Sequence, residues 1–432
     1  METVPFDNTV YGDDFPATEK LYDADAYAVT FTAEVIRCHA AANPADGKQC
    51  FAVILDRTLF FPEEGGQTCD QGTFSQAMID DGAHYHEFSP SQEDGNSGLT
   101  RVLHVAIDEQ TGVITHYCDG AFSVGDRVRG DINFAHRFSN MQNHTGEHIF
   151  SGLVHSTFGF SNVGFHLSDD IMTMDYDGEL SQADLAGIEY RANEAIWKNV
   201  PVRCFYPSEP ELSQIEYRSK KALTGKIRIV EVEGYDICAC CAPHVRRTGE
   251  IGLLTVLSAI HYKGGTRVSA LCGKRGYEWL ASVKGQAAGV SHILSVPIEE
   301  IERAAKKQAA EKKTCEYRIS VLQQQILAQQ LAAVPSDEAD VLLFTEVADN
   351  MAIRNAVNRL TETRPGYVLI LSGGDGGYRF ILGSRDRDCR EGAALLKAEL
   401  SAKGGGSAEM VQGSLSASEE DIRNAFKRLA GR

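Results

Sequence analysis

Between residues 130 and 140 the hydrophobic pattern changes period, and that switch constrains the fold more than any other feature of the chain. Upstream, apolar and polar residues alternate along Tyr27–Ile36, Gln49–Asp56 and Val113–Cys118, with turn residues between the runs and Gly125-Asp126 after them. A period of two gives each strand one buried face, and a succession of short half-buried strands packs well as a small β-barrel. Downstream, Met141, His144, His148, Phe150 and Leu153 share helical spacing up to Gly159, which predicts a helix over 139–158. There follow a strand at Ile171–Tyr176, a helix from Ser181 to Lys198 and strands at Val202–Tyr206, at Ile227–Val232 and beyond Gly252. Ser181-Gln-Ala-Asp184 opens the second helix with a capping signal. A barrel followed by a mixed layer places the chain in the α+β class.

From Pro297 to Val334 the sequence lacks glycine and internal proline and is rich in Ala, Glu, Lys and Gln. Cys315, Ile319, Leu322, Ile326, Gln329 and Ala333 recur at alternating intervals of four and three. That is the seam of a helical arm or coiled coil, or else one face of a long helix packed on its own domain. After Pro335, strands Val341–Thr345 and Tyr367–Ser372 alternate with helices Met351–Thr363 and Arg390–Lys403, as in a small α/β domain. Gly404–Gly413 reads as a glycine-rich turn with a flexible backbone. Four segments result: a barrel over 1–132, a second core over 133–285, a helical arm over 286–334 and an α/β domain over 335–432.

The 432 residues, 43% hydrophobic and 24% charged, describe a soluble globular chain with more than one core. Met1–Asp7 lacks the basic flank and apolar run of a signal peptide, and no apolar run reaches the roughly 18 residues of a membrane span. Eleven cysteines, an odd number in a long chain, read as reduced thiols. A cytoplasmic protein with no membrane partner is expected. The net charge of −18 speaks against a polyanionic partner, but it is unevenly spread. Residues 1–100 hold 18 acidic side chains against 4 basic, whereas 201–290 hold 13 basic against 8 acidic. A local basic surface can bind phosphates on an acidic protein, so charge does not exclude a nucleic acid.

Two short motifs suggest a metal. His144-x-x-x-His148 and Cys240-x-x-x-His244 each place two donors four residues apart, one helical turn, so each pair could aim at one point. Three imidazoles and a thiolate make a tetrahedral shell for one Zn2+ per chain, with Cys238 or Cys241 as alternative sulfur ligands. Four protein ligands normally mark a closed structural site, and catalysis needs a lost ligand or a fifth coordination position. In Phe60–Gly72, Gly65 and Gly66 allow close backbone approach to a ligand. Gln67 offers both donor and acceptor, and Asp70 could fix the loop or bind a hydroxyl; an ordinary hairpin loop has the same composition. Glu147 beside His148 suits a proton shuttle or a solvated helix position. Arg246 and Arg247, with Arg218, Lys220, Lys221 and Lys226 upstream, suit RNA phosphates or a solvated face.

Assembled, Phe61-Pro-Glu-Glu-Gly-Gly-Gln-x-x-Asp-x-Gly72, His144-x-x-x-His148 and Cys240-x-x-x-His244-Val-x-x-Thr-Gly-Glu-Ile-Gly252 resemble the long form of the alanyl-tRNA editing proteins, the AlaX family. The same set is similar to the editing domain of alanyl-tRNA synthetase. Gly404–Gln412 resembles the DHHA1-type domain that ends both proteins. The resemblance implies a trans-editing deacylase acting on tRNA(Ala) mischarged with serine or glycine, with zinc on His144, His148, Cys240 and His244. A pocket sized for alanine cannot exclude glycine and rejects serine weakly, so a second, hydrolytic site is needed. On this reading Gln67, Thr145 and Glu147 serve catalysis. Gly65, Gly66, Thr68, Asp70, Arg246 and Arg247 bind substrate, with Thr68 or Thr145 sensing the serine hydroxyl beside Gln67. Glu64 replaces the first of the three glycines usual in the loop, and Cys241-Ala-Pro243 replaces Gly-Gly-Thr. A homodimer through the arm and terminal domain is a further expectation.

Three other readings compete. A zinc-stabilised tRNA-binding module would share the metal motif without catalysis. A phosphoesterase would pair the terminal domain with an Asp-His-His tripeptide, which the chain lacks. A full synthetase would need an aminoacylation domain before the barrel.

Overall fold

The computed structural model describes residues 16–76, 98–219, 225–374 and 377–431; Lys220 and Lys221 lie outside them. The chain divides into two compact units, residues 1–286 and 287–432.

Alternation in the first unit builds a closed barrel from β1 (Thr30–Ala42), β2 (Gln49–Leu55), β3 (Gly72–Gln76), β4 (Thr100–Ile107), β5 (Ile114–Cys118) and β6 (Arg127–Ile132), in the order β1-β2-β5-β4-β3-β6. Phe31, Ala33 and Val35 on β1 point inward, every second residue, and meet Val53, Phe74, Val105 and Val128. Closure pairs every strand on both sides and leaves no free edge.

Helix α1 (Phe134–Phe158) begins five residues before the expected start. Asn133 caps it by accepting the His136 N–H. The first turns carry the polar His136, Arg137 and Asn140, which hid the helical period from a purely hydrophobic reading. Arg137 is buried all the same: it forks onto Asp70 and donates to the carbonyls of Ala26 and Leu59. Gly159, at φ +75°, ends the helix in the left-handed conformation.

Beyond α1 come β7 (Asn162–Leu167), β8 (Met172–Tyr176), α2 (Gln182–Lys198), β9 (Val202–Phe205), β10 (Ile229–Val232), β11 (Asp236–Ala239), β12 (Leu254–Tyr262) and β13 (Gly265–Cys272). They form a four-stranded sheet, β12-β13-β8-β7, and a three-stranded one, β9-β10-β11. The apolar side of α1, with Met141, Ile149, Phe150 and Leu153, shares a core with Met172, Met174 and Val268. Helix α3 (Gly273–Leu294) then follows where no element was expected. Its glycines at 276, 285 and 289 count against a helix in any propensity sum.

In the second unit, α4 (Ile301–Ala332) runs unbroken for 32 residues. Its 4-3-4 seam is not packed: Ile319, Leu322 and Ile326 are 54%, 56% and 49% exposed, and Leu327 is the residue that enters the core. Strands β14 (Val341–Thr345), β15 (Val368–Gly374), β16 (Gly377–Gly383), β17 (Lys403–Gly406) and β18 (Met410–Leu415) form one sheet in the order β14-β15-β16-β18-β17. Helices α5 (Asn350–Thr361), α6 (Cys389–Leu400) and α7 (Glu419–Ala430) complete the unit. Within this sheet, among the described residues, only β14 and β15 pair in parallel. The glycine run expected as a flexible turn is an edge strand instead, with Gly404 opposite Gly413 and Gly405 opposite Gln412. Among the described residues no helix is long and apolar enough to cross a membrane.

Candidate metal centre and its cleft

Helix α1 carries His144 and His148 on one face, one turn apart, and both are buried. The second pair reaches them differently. Residues 240–247 form no helix but an irregular loop between β11 and a short 3-10 turn at Thr248–Ile251. Pro243 has no N–H to donate and disfavours helical backbone in the residue before it. The carbonyls of Cys240 and Ala242, which a helix would satisfy internally, accept from Arg228 at 3.1 and 2.8 Å instead. The i, i+4 spacing of Cys240 and His244 is therefore that of a folded loop, which corrects the helical expectation.

Sγ of Cys240 lies 3.5 Å from Nε2 of His144 and 3.4 Å from Nε2 of His244. Donor atoms of His144, His148, Cys240 and His244 all fall within 4.8 Å of one another. Zinc bonds of about 2.05 Å to nitrogen and 2.3 Å to sulfur give a tetrahedral N···S edge of about 3.5 Å. Each imidazole is also turned by a second group on its far nitrogen. Nδ1 of His144 meets Oε1 of Gln67 at 2.7 Å, that of His148 meets Oδ2 of Asp236 at 2.8 Å, and that of His244 meets Oγ1 of Thr145 at 3.0 Å. With Nδ1 occupied, each ring turns its Nε2 inward, the tautomer control typical of ligating histidines. The donor set fits a zinc ion.

Burial and mutual contact shift the titration of several of these groups. Burial opposes charge on Cys240, but His144 and His244 outweigh it and hold the thiol well below its ordinary value. Burial lowers His244 to about 3. Burial also opposes charge on His148, but the Asp236 hydrogen bond prevails and raises it to about 9. Burial instead raises the thiols of Cys238 and Cys241. Cys238 lies with His148 and Asp236, and the Cys241 thiol sits against the Gly65 backbone.

The loop of residues 59–71 docks on β7: the Leu167 N–H donates to the Gly66 carbonyl at 2.7 Å, and the Thr68 N–H donates to the Leu167 carbonyl at 3.1 Å. A Cβ on Gly66, whose φ is +85°, would stand 2.3 Å from the Phe165 carbonyl oxygen, so this close approach needs glycine. Gly65 and Gly66 line a cleft of about 710 Å³ that also reaches His144, His148 and Cys240. Gln67 and Thr68 lie beneath that wall, with Nε2 of Gln67 and Oγ1 of Thr68 enclosed and without a hydrogen-bond partner among the described residues.

Other residues expected at the site are placed elsewhere. Asp70 faces away from the cleft: its carboxylate takes the Arg137 fork and the Phe61 N–H, so it fixes the loop. Thr145 is wholly buried, its hydroxyl engaged by His244 and the Val245 N–H. Glu147 is no solvated helix position; it accepts from Ser151 and Asn162, both at 2.6 Å, and stands 3.9 Å from Nε2 of His148. Arg246 lies over the Tyr27 ring at 4.2 Å and pairs with Asp25, and Arg247 donates to the Asn199 carbonyl, so neither lines the cleft. Arg218 grips Asp236 through 2.7 and 2.9 Å contacts and thereby steadies His148. Sequence reading missed Asp236, Lys20 and Tyr206; Asp236 lies 88 positions from His148, beyond any local pattern.

Residues 227–273, which include Cys240 and His244, match the family model described as the threonyl and alanyl tRNA synthetase second additional domain. The alanine–tRNA ligase of Natronomonas pharaonis is 28% identical over 90% of this chain and 41% of its own length. The alanyl-tRNA editing protein Aarsd1 of Mus musculus is 26% identical over 66% of each chain. These proteins are its homologues. The ligase of Thermofilum pendens matches 96% of this chain at 25% identity, and 45% of that ligase is covered. The chain thus spans less than half the length of the ligases it matches.

Proposed function

We propose that the chain is a hydrolase that deacylates tRNA(Ala) mischarged with serine, and with glycine at the same site, using one zinc ion held by His144, His148, Cys240 and His244. The convergence of those four donors, with His144, His148 and Cys240 on the wall of the cleft, is the observation that carries the reading. The relative whose name is alanyl-tRNA editing protein supports tRNA(Ala) as the substrate.

Bound zinc would supply a Lewis acid for the ester carbonyl or a water of lowered pKa. The protein's own groups do the rest. Gln67, Asp236 and Thr145 hold the three rings in register. Nε2 of Gln67 and the Thr68 hydroxyl, a donor and an acceptor without partners among the described residues, are enclosed behind the Gly65–Gly66 wall, so they would meet a seryl hydroxyl once that wall shifts. Such a site gains from the hydroxyl that an alanine pocket fails to reject. On this reading Glu147, between Ser151 and the edge of His148, would carry a proton. We assign the remaining architecture as a barrel over 1–132, an editing core over 133–285, an arm over 286–334 and a DHHA1-like domain over 335–432.

Purified protein incubated with Ser-, Gly- and Ala-tRNA(Ala) should release serine and glycine and spare alanine, and should contain one zinc per chain by elemental analysis. His144→Ala and Cys240→Ala should each abolish release. Equal loss of all three acyl groups, or full activity of a zinc-free double variant, would overturn the assignment. A second reading, a tRNA-binding module braced by a closed four-ligand zinc, is favoured by the ligand count itself. Zinc bound at unit stoichiometry with no acyl release would select it.

A further inference from the structure

The cleft lining carries charge of both signs. Its acidic lining residues are Glu64, next to Gly65, and Glu109. Its basic residues come from distant parts of the chain: Lys20 from the two-residue strand that pairs with Arg57–Thr58, and Lys226 and Arg228 from the approach to β10. Arg228 is committed, since it holds the Cys240 and Ala242 carbonyls and faces Asp23 at 3.5 Å.

The two lysines are not committed. Among the described residues neither makes an ion pair; the carboxylate nearest Lys20 in sequence, Glu19, pairs with Arg57 at 3.5 Å instead. Most basic side chains of the first unit have a partner, as Arg101 has Asp119, Arg129 has Asp131, and Lys48 has Asp46. In a chain of net charge −18 with an acidic N-terminal hundred residues, two cations that line one cleft without an ion pair among the described residues are the groups there with charge to spare for an anion. Tyr206, half exposed, adds an aromatic face to the same lining.

Resting on the deacylase reading, we propose that Lys20 and Lys226 grip the phosphodiesters of the single-stranded acceptor terminus, and so orient the aminoacyl ester toward the imidazole cluster. An ammonium on a flexible stem suits a phosphate as a point charge and carries no base preference. The contact therefore sets affinity and direction and leaves acyl-group choice to the Gln67 loop.

The test measures binding of fluorescent, uncharged tRNA(Ala) by anisotropy from about 50 to about 200 mM salt, because each single-strand phosphate contact contributes about 0.7 to the log–log salt slope. Lys20→Gln and Lys226→Gln should each weaken binding about three- to tenfold and flatten the slope by about 0.7, and the double variant by about 1.4. Lys48→Gln, remote from the cleft and paired with Asp46, should leave the slope at its wild-type value. In a second arm, the lysine variants should hydrolyse seryl-adenosine, which lacks phosphates, at the wild-type rate while KM for Ser-tRNA(Ala) rises and kcat stays. Unchanged slopes would overturn the phosphate grip, and so would equal losses on seryl-adenosine. A wild-type protein that hydrolyses neither substrate would sink the deacylase reading, while the binding arm would still decide the lysines.

Discussion

His116 stands at the centre of the barrel, fully buried, in edge-to-face contact with Phe60 and Phe74. Its Nδ1 faces the Val53 carbonyl at 3.2 Å, which can only accept, so Nδ1 carries the proton. Nε2 then accepts from the Thr58 hydroxyl at 2.8 Å, and Thr58 accepts from the Phe60 N–H at 3.0 Å. This arrangement suits a neutral ring, and burial pushes its pKa down from 6.5 to about 4. Between those values the unfolded chain binds a proton that the folded barrel refuses. The contribution to stability is therefore complete above pH 6.5 and falls as pH drops through about 4, by on the order of 3 kcal/mol. Denaturant titrations at pH 7, 5.5 and 4.5 should show His116→Phe losing less stability on acidification than wild type. Parallel losses in the two proteins would sink the idea. Asp70 and Arg137 illustrate a different economy at the same scale, since each is buried only because the other is present.

At the scale of elements, what could be read from sequence was what local period controls. Alternation along Tyr27–Ile36 disclosed a barrel strand, and the seam spacing disclosed a long helix, because both depend on neighbours within a few residues. What could not be read depends on remote partners. The Cys240–His244 loop departs from a helix because Arg228 takes its carbonyls, and Gly404–Gly406 is a strand because β18 pairs with it. Three cysteines within four residues offered themselves as sulfur donors, and only the folded loop separates their surroundings. The Gln67 loop was legible as a glycine-dependent close approach, though not what it approaches. That contact gives a sharp comparison. Gly47 and Gly66 both have positive φ, +70° and +85°, but a Cβ on Gly47 meets nothing within 4 Å while one on Gly66 meets the Phe165 carbonyl at 2.3 Å. Gly47→Ala should cost about 1–2 kcal/mol, the left-handed backbone penalty alone, and keep full deacylation. Gly66→Ala must also shift the loop that carries Gln67 away from His144, and should cut Ser-tRNA(Ala) deacylation at least tenfold. Equal behaviour of the two variants would show that the docking contact is dispensable.

For the whole molecule, one apolar stripe left exposed among the described residues is the seam of α4. Ile319, Leu322 and Ile326 lie on one stripe, each about half exposed. The helix does not need a partner to persist: Lys306–Glu302, Lys307–Glu311 and Lys312–Glu316 are paired one turn apart along its length. The helix therefore leaves its apolar stripe available for association, and a second copy of the same stripe would be a self-complementary surface for it. Fewer than three heptads of seam give a modest interface, and two chains of net charge −18 repel one another at low ionic strength. We accordingly predict a reversible homodimer whose affinity rises with salt. Sedimentation velocity from about 1 to about 100 µM should show the dimer fraction growing with concentration, and more so at higher ionic strength. The double substitution Ile319→Lys with Ile326→Lys should hold the protein monomeric throughout while its far-UV circular dichroism stays that of wild type. A wild-type chain monomeric at every concentration, or a double variant that still dimerises, would show that the stripe serves another partner.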